Sequence, residues 1–241
     1  MNYSYADLSK MIDHSLLNPT QTVDQLEAGC QLALAYDVAS VCIMPYYMKR
    51  CTEILAGSTV MPSTTIGFPH GGHTTRAKRY EAEQAVADGC QELDMVVNIS
   101  KVLSGDWAYV TSEIQAIVDV AHAAGRKIKV IFENCYLNES QKIKLCEICS
   151  EVKADWVKTS TGYGTGGATI DDLQLMLNHV GKGIQVKAAG GVRDLTTLLQ
   201  VKKMGVTRVG ASRTAEMLGE ARVQLGLPPI HVAGNSASVG Y

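Results

Sequence analysis

Trp156-Val157-Lys158-Thr159-Ser160-Thr161-Gly162 and Gln185-Val186-Lys187-Ala188-Ala189-Gly190-Gly191 decide the reading of this chain. Each is a short apolar or β-branched run with a lysine at its end, opening onto glycine. Lysine is almost never fully buried without a partner, so two of them at equivalent strand ends ask for a chemical explanation. Between them, Thr169-x-x-Asp172 reads as a capping-box-like start to a helix that ends near Gly181, which makes a strand-helix-strand unit. Pleating puts Lys158 on one face with Trp156 and Ser160, and Lys187 on one with Gln185. Val157 and Val186 then face the helices.

The same grammar repeats on both sides at roughly thirty residues, the size of a β-plus-α unit. Upstream lie Ser40-Val41-Cys42-Ile43, Ser63-Thr64-Thr65-Ile66-Gly67, Glu92-Leu93-Asp94-Met95-Val96-Val97 and Ile128-Lys129-Val130-Ile131-Phe132. Helical stretches separate them. Thr74 to Ala87 is stopped by Gly89; Ile114, Ile117, Val118 and Ala121 follow helical spacing before Gly125; a further helix covers Ser140 to Val152. Downstream, Asp194 caps a helix ending at Gly205, followed by Thr207-Arg208-Val209-Gly210. With Ile12 to Leu17 as the first and weakest strand, the alternation reaches eight and predicts a single-domain (β/α)8 TIM barrel. Without that strand, a seven-stranded open sheet is the alternative. The barrel is expected over residues 1–227, with a flexible C-terminal tail over 228–241.

A length of 241 residues suits one large core, and 46% hydrophobic with 19% charged residues fits an ordinary globule. The net charge of -2 argues against a nucleic acid or an anionic membrane as partner. No apolar run approaches the ~20 residues that span a bilayer. The odd count of seven cysteines, with no signal peptide at Met1 to Asp7, points to reduced thiols in the cytoplasm. Cys146-Glu147-Ile148-Cys149 lies in a helix-like stretch and has no second pair to complete a metal site.

Barrel enzymes keep their catalytic residues at the carboxyl ends of strands, where Lys158, Lys187 and Asp94 all stand. A lysine amine attacks carbonyls only when neutral, and at pKa ~10.4 only about 0.04% is neutral at pH 7. Lowering that pKa to about 7 takes on the order of 4.6 kcal/mol, which burial and a neighbouring like charge supply together. The pattern therefore fits Schiff-base chemistry, with Asp94 either relaying protons or forming a plain ion pair. On these residues alone, either lysine can be the nucleophile.

Gly190-Gly191 and Gly210-Ala211-Ser212-Arg213 follow the seventh and eighth strands, where barrels build phosphate sites from backbone N–H groups. Two other motifs carry less. Gly162-Tyr163-Gly164-Thr165-Gly166-Gly167 matches a dinucleotide fingerprint, but the acidic partner about twenty residues on is replaced by Lys187. His70-Gly71-Gly72-His73 offers two histidines without an evident third ligand, so no metal is expected.

Together the motifs resemble the deoxyribose-phosphate aldolase family of class I aldolases. The resemblance runs through nearly the whole chain: Ile12-Asp13-His14-Ser15-Leu16-Leu17, Val41-Cys42-Ile43, Ile66-Gly67-Phe68-Pro69, the Asp94 strand, both lysine motifs with Val192-Arg193, and Gly210-Ala211-Ser212. It implies reversible cleavage of 2-deoxy-D-ribose 5-phosphate to D-glyceraldehyde 3-phosphate and acetaldehyde, with no cofactor. By resemblance Lys158 is the Schiff-base lysine, with Lys187 and Asp94 as its proton-relay partners. Asp13 and Cys42 stand near the substrate, Thr161 and Gly162 line its site, and Gly190, Gly191, Gly210 and Ser212 bind phosphate, with Arg213 beside them. Tyr241, ending the tail, matches a tyrosine that in some members assists proton transfer.

The chain departs from the family at Asn18, Glu133-Asn134 and Arg213, which leaves the reaction class better founded than the substrate. Two alternatives stay open: a class I aldolase of the same family for another sugar phosphate or aldehyde, and a catalytically silent sugar-phosphate binder. The family tendency is toward homodimers.

Overall fold

The computed structural model describes residues 3–232. Its eight strands are β1 (Ile12–Leu16), β2 (Ser40–Ile43), β3 (Met61–Ile66), β4 (Glu92–Val96), β5 (Lys127–Ile131), β6 (Trp156–Lys158), β7 (Gln185–Ala189) and β8 (Arg208–Ala211). All neighbours run parallel, and β8 pairs with β1 to close the ring. The helices are α1 (Tyr5–Ser9), α2 (Val23–Ala35), α3 (Met48–Leu55), α4 (Thr75–Ala87), α5 (Ile99–Leu103), α6 (Trp107–Ala123), α7 (Glu139–Glu151), α8 (Ile170–His179), α9 (Leu195–Met204) and α10 (Thr214–Gln224). The chain is thus a (β/α)8 barrel, and its weakest strand by sequence, β1, is the one that closes it. No helix among the described residues is long and apolar enough to cross a membrane.

Local signals set the helix ends. Thr22 and Asn138 form reciprocal capping boxes with Gln25 and Gln141, and Asp194 accepts a hydrogen bond from the Thr197 N–H at 2.8 Å. Thr169 caps α8 by accepting from Asp172 N–H, and the helix ends at His179, two residues before Gly181. Each replaced cap would cost about 1 kcal/mol.

Period-two alternation sorts the strand side chains into two environments. Val41, Ile43, Leu93, Met95, Ile128, Val130, Val157, Val186 and Val209 are fully buried in the apolar core cluster, on the strand faces turned to the helices. The opposite set carries Asp13, Cys42, Glu92, Asp94, Lys129, Lys158 and Lys187, which fill the ring with charge where branched aliphatics are the common filling. Outside the ring, Lys78 of α4 pairs with Glu113 of α6 at 2.9 Å and donates to the Val96 carbonyl at 2.8 Å. Glu113 also accepts from the Asn98 N–H at 2.9 Å, which ties two helices to the carboxyl end of β4.

Beyond α10, Ile230 and Val232 pack against the core while Pro228 accepts a hydrogen bond from Arg222. Tyr241 lies outside the described residues. The cysteines are unbridged, and Cys146 and Cys149 are buried inside α7.

Candidate active site

The β6–β7 register sets Lys158 directly beside Lys187, and the β4–β5 register sets Asp94 beside Lys129. Inside the ring these side chains converge. Asp94 Oδ2 accepts from Lys158 Nζ at 2.7 Å and from Lys187 Nζ at 2.8 Å, while its Oδ1 accepts from Lys129 at 2.9 Å. Lys187 also meets Asp13 Oδ2 at 2.5 Å. All five groups are buried, with Lys158 the most open at 4% exposure.

A narrow cleft at the carboxyl end of the barrel reaches both lysines. It is lined by Asp13, Cys42, Thr161, Gly190 and Gly210 among others, so these sequence-selected residues come together with Lys158 and Lys187. Asp94 sits behind the lysines. Gly162, Gly191, Ser212 and Arg213 do not line this cleft: Gly162 and Gly191 lie in the loops after β6 and β7, and Arg213 is exposed at the start of α10.

Charges in this ring perturb one another strongly. Burial alone pushes the Asp94 carboxyl up, but Lys129, Lys158 and Lys187 outweigh it and hold the group ionised far below the usual carboxylate range. Asp13 is held low in the same way by Lys129, Lys187 and Arg208. Burial pushes the Lys158 ammonium down, yet the adjacent Asp94 carboxylate more than offsets this and raises it. The sequence expectation was a Lys158 made neutral by burial and by the charge of Lys187. The structure differs because Lys187 does not act as a bare positive charge: Asp13 and Asp94 both contact it. Burial raises the Cys42 thiol, so Cys42 is a compact apolar wall of the cleft.

The loop after β7 rests on close backbone approach. Ala168 N–H donates to the Ala189 carbonyl at 3.0 Å and to the Gly190 carbonyl at 2.8 Å. A Cβ at Gly167 would lie 2.6 Å from the Gly190 carbonyl carbon, so only glycine fits there. Gly190 and Gly191 hold φ of 70° and 99°, a region that favours glycine.

The GxGxxG-like run occupies the β6–α8 loop, and Glu133, just past the end of β5, holds Thr161 at its start. Glu133 is buried in the left-handed region at φ 58°, accepting from the Thr161 N–H at 3.1 Å and from the Thr161 hydroxyl. Tyr163 of that loop donates to the Leu17 carbonyl at 2.7 Å, joining it to the end of β1. His70 and His73 are both exposed, and among the described residues no group of three or more His, Cys, Asp or Glu is placed to hold a metal ion.

Of the family departures, Asn18 caps its own turn by accepting from Thr20. Asn134 is buried and donates to the Met176 sulfur at 3.4 Å.

The sequence patterns assign no role to Lys129, Glu92, Arg208 or Glu133. Lys129 is fully buried and bonded to Glu92 at 2.6 Å; Arg208 forms a two-pronged pair with Glu92 at 2.9 and 2.7 Å and meets Asp13 at 2.5 Å. The signal was present in the strand alternation. Lys129 lies between Ile128 and Val130, and Glu92 precedes Asp94 by two, on the same face.

Comparison with known proteins follows the same lines as the geometry. The sequence profile of the DeoC/LacD family aldolase matches residues 8–227. A deoxyribose-phosphate aldolase of Rhodopirellula baltica is 67% identical over 240 residues, covering 100% of this chain and 99% of that protein. One from Thermococcus gammatolerans is 44% identical, covering 90% and 97%. Among solved structures, a putative deoxyribose-phosphate aldolase from Coccidioides immitis superposes with a TM-score of 0.87 at 32% identity, covering 91% of this chain and 87% of its own. The tetrameric deoxyribose phosphate aldolase from Aeropyrum pernix gives 0.84 at 28% identity, covering 92% and 93%. The chain therefore belongs to the DeoC/LacD family of aldolases and is an enzyme of the lyase class.

Proposed function

We propose that the protein is a class I aldolase that reversibly cleaves 2-deoxy-D-ribose 5-phosphate to D-glyceraldehyde 3-phosphate and acetaldehyde through a Schiff base on Lys158. The observation that carries the choice of lysine is the unequal share of carboxylates. Lys158 contacts Asp94 alone, Lys187 contacts Asp94 and Asp13, and Lys129 contacts three carboxylates. Lys158 thus loses least by giving up its proton, and it lines the cleft.

The free amine of Lys158 adds to the substrate aldehyde, forming a C–N bond, and the carbinolamine loses water to leave an iminium. Removal of the proton from the C3 hydroxyl breaks the C2–C3 bond, and its electron pair moves into the iminium, releasing glyceraldehyde 3-phosphate. Protonation of the enamine carbon and hydrolysis return acetaldehyde and the amine. Asp94 Oδ2, shared by Lys158 and Lys187, is the shortest route for these protons. Asp13 and Thr161 face the sugar, and the N–H groups around Gly190, Gly191, Gly210 and Ser212 take the phosphate, with Arg213 at the rim.

Reduction with cyanoborohydride in the presence of acetaldehyde tests the assignment. The expected product carries an ethyl group on Lys158, and Lys158→Leu loses both the adduct and at least about 10³-fold in activity. Full activity in Lys158→Leu, with ethylation elsewhere, sinks the assignment. Tyr241 is proposed to assist protonation of the enamine. Its deletion then slows hydrogen exchange at the acetaldehyde methyl while adduct formation persists, and an unchanged exchange rate removes it from the mechanism. A cytoplasmic homodimer is the proposed setting, and sedimentation of the purified chain decides the oligomeric state.

A further inference from the structure

Beneath the Lys158–Asp94–Lys187 level, the ring holds a second charged level that does not line the cleft. Lys129 from β5 bonds Glu92 at 2.6 Å and Asp94 Oδ1 at 2.9 Å, and lies 3.5 Å from Asp13. Arg208 from β8 clamps Glu92 with both terminal nitrogens and meets Asp13 at 2.5 Å. Both cations also approach the Trp156 ring, at 5.6 and 5.1 Å. Burying such a cluster is expensive, and a packed aliphatic layer would serve stability as well or better. The charge points to chemistry.

The groups facing Lys158 come from the whole ring. They are Asp13 (β1), Cys42 (β2), Glu92 and Asp94 (β4), Lys129 (β5), Lys187 (β7) and Arg208 (β8), while β3 supplies the uncharged Ser63 and Thr65. Four cations, Lys129, Lys158, Lys187 and Arg208, therefore share three carboxylates, Asp13, Glu92 and Asp94.

We infer that Lys129, with Glu92 and Arg208, is a positioning layer that fixes the proton count of the site: the buried cluster carries one net positive charge, and release of one proton from Lys158 makes it neutral. Lys129 does this in two ways. It occupies Asp94 Oδ1, leaving Oδ2 to be shared by Lys158 and Lys187, and its own charge balances the carboxylate that would otherwise hold the Lys158 proton in place. The inference rests on the proposed role of Lys158 as nucleophile.

The test is the pH dependence of Lys158 ethylation by acetaldehyde and cyanoborohydride in four proteins. Lys129→Met removes a cation, so the rising limb moves to higher pH by about one unit or more. Glu92→Gln removes a carboxylate and moves the limb down by a comparable amount, and the double variant returns it to within a few tenths of a unit of the unaltered protein. Opposite shifts that cancel support the charge-setting role, because general loosening of the barrel would move both limbs the same way. Unmoved limbs, or shifts of one sign, overturn it. If Lys129→Met does not fold, the sign of the Glu92→Gln shift decides alone. Absence of Lys158 ethylation in the unaltered protein overturns the nucleophile assignment itself, whereas normal ethylation with unmoved limbs overturns only the positioning layer.

Discussion

Lys158 and Lys187 are neighbours in register and nearly identical in burial, yet they differ in their carboxylate partners: Asp94 for the first, Asp94 and Asp13 for the second. A single shared acceptor atom, Asp94 Oδ2, makes the protonation of one depend on the other. His14 illustrates the cost of a buried titratable group outside that cluster. It sits on the helix-facing side of β1 with Nδ1 2.8 Å from the Thr214 hydroxyl, and burial lowers its pKa to about 4. In the unfolded chain the imidazole titrates near ~6.5, so below that pH the unfolded state binds more protons and stability falls until about pH 4. Between pH 7 and 5 the expected loss is about 2 kcal/mol, in a window above the range where the depressed carboxylates contribute. Urea unfolding at both pH values measures it, and His14→Asn should remove most of the slope; an unaltered slope would place the effect elsewhere.

At the scale of elements, the loops after the strands are held by backbone contacts that admit no substitution. Gly167→Ala drives a Cβ into the Gly190 carbonyl, so the β6–α8 and β7–α9 loops must part. The expected result is a rise in KM for the phosphorylated substrate of at least about tenfold and a stability loss of about 1–3 kcal/mol. Acetaldehyde alone, lacking phosphate, should ethylate Lys158 at a nearly normal rate, and an equal loss with both substrates would show that the loop serves the lysine rather than the phosphate. Elements of this kind were legible in the sequence, since Asp194 and Gly205 bracket α9 and Thr74 caps α4 through local rules. Glu133 was not, because its left-handed conformation and its hold on Thr161 depend on a neighbouring strand rather than on adjacent residues.

Over the whole molecule, counting eight strand-helix units leads to the barrel, while the carboxyl-end rule selects Lys158, Lys187 and Asp94, of which only Lys158 ends its strand and the other two sit in the middle of β7 and β4. The second charged level is not legible in the sequence because its partners are far apart along the chain. Arg208 and Asp13 are separated by 195 positions, and Lys129 and Glu92 by 37, distances at which composition and spacing carry no pairing information. The same separations say when the site can exist. Asp13 belongs to the first strand and Arg208 to the last, and β1 meets β8 through Ile12 and Val209. During synthesis, a chain that has not yet emerged beyond residue 208 holds Lys158 and Lys187 but not the Arg208 side chain that bonds Asp13 and Glu92. A cut within β8 that removes Arg208 would take from Asp13 and Glu92 the cation that reaches them across the closing seam, so the charge of the buried cluster is complete only once the last strand is in place.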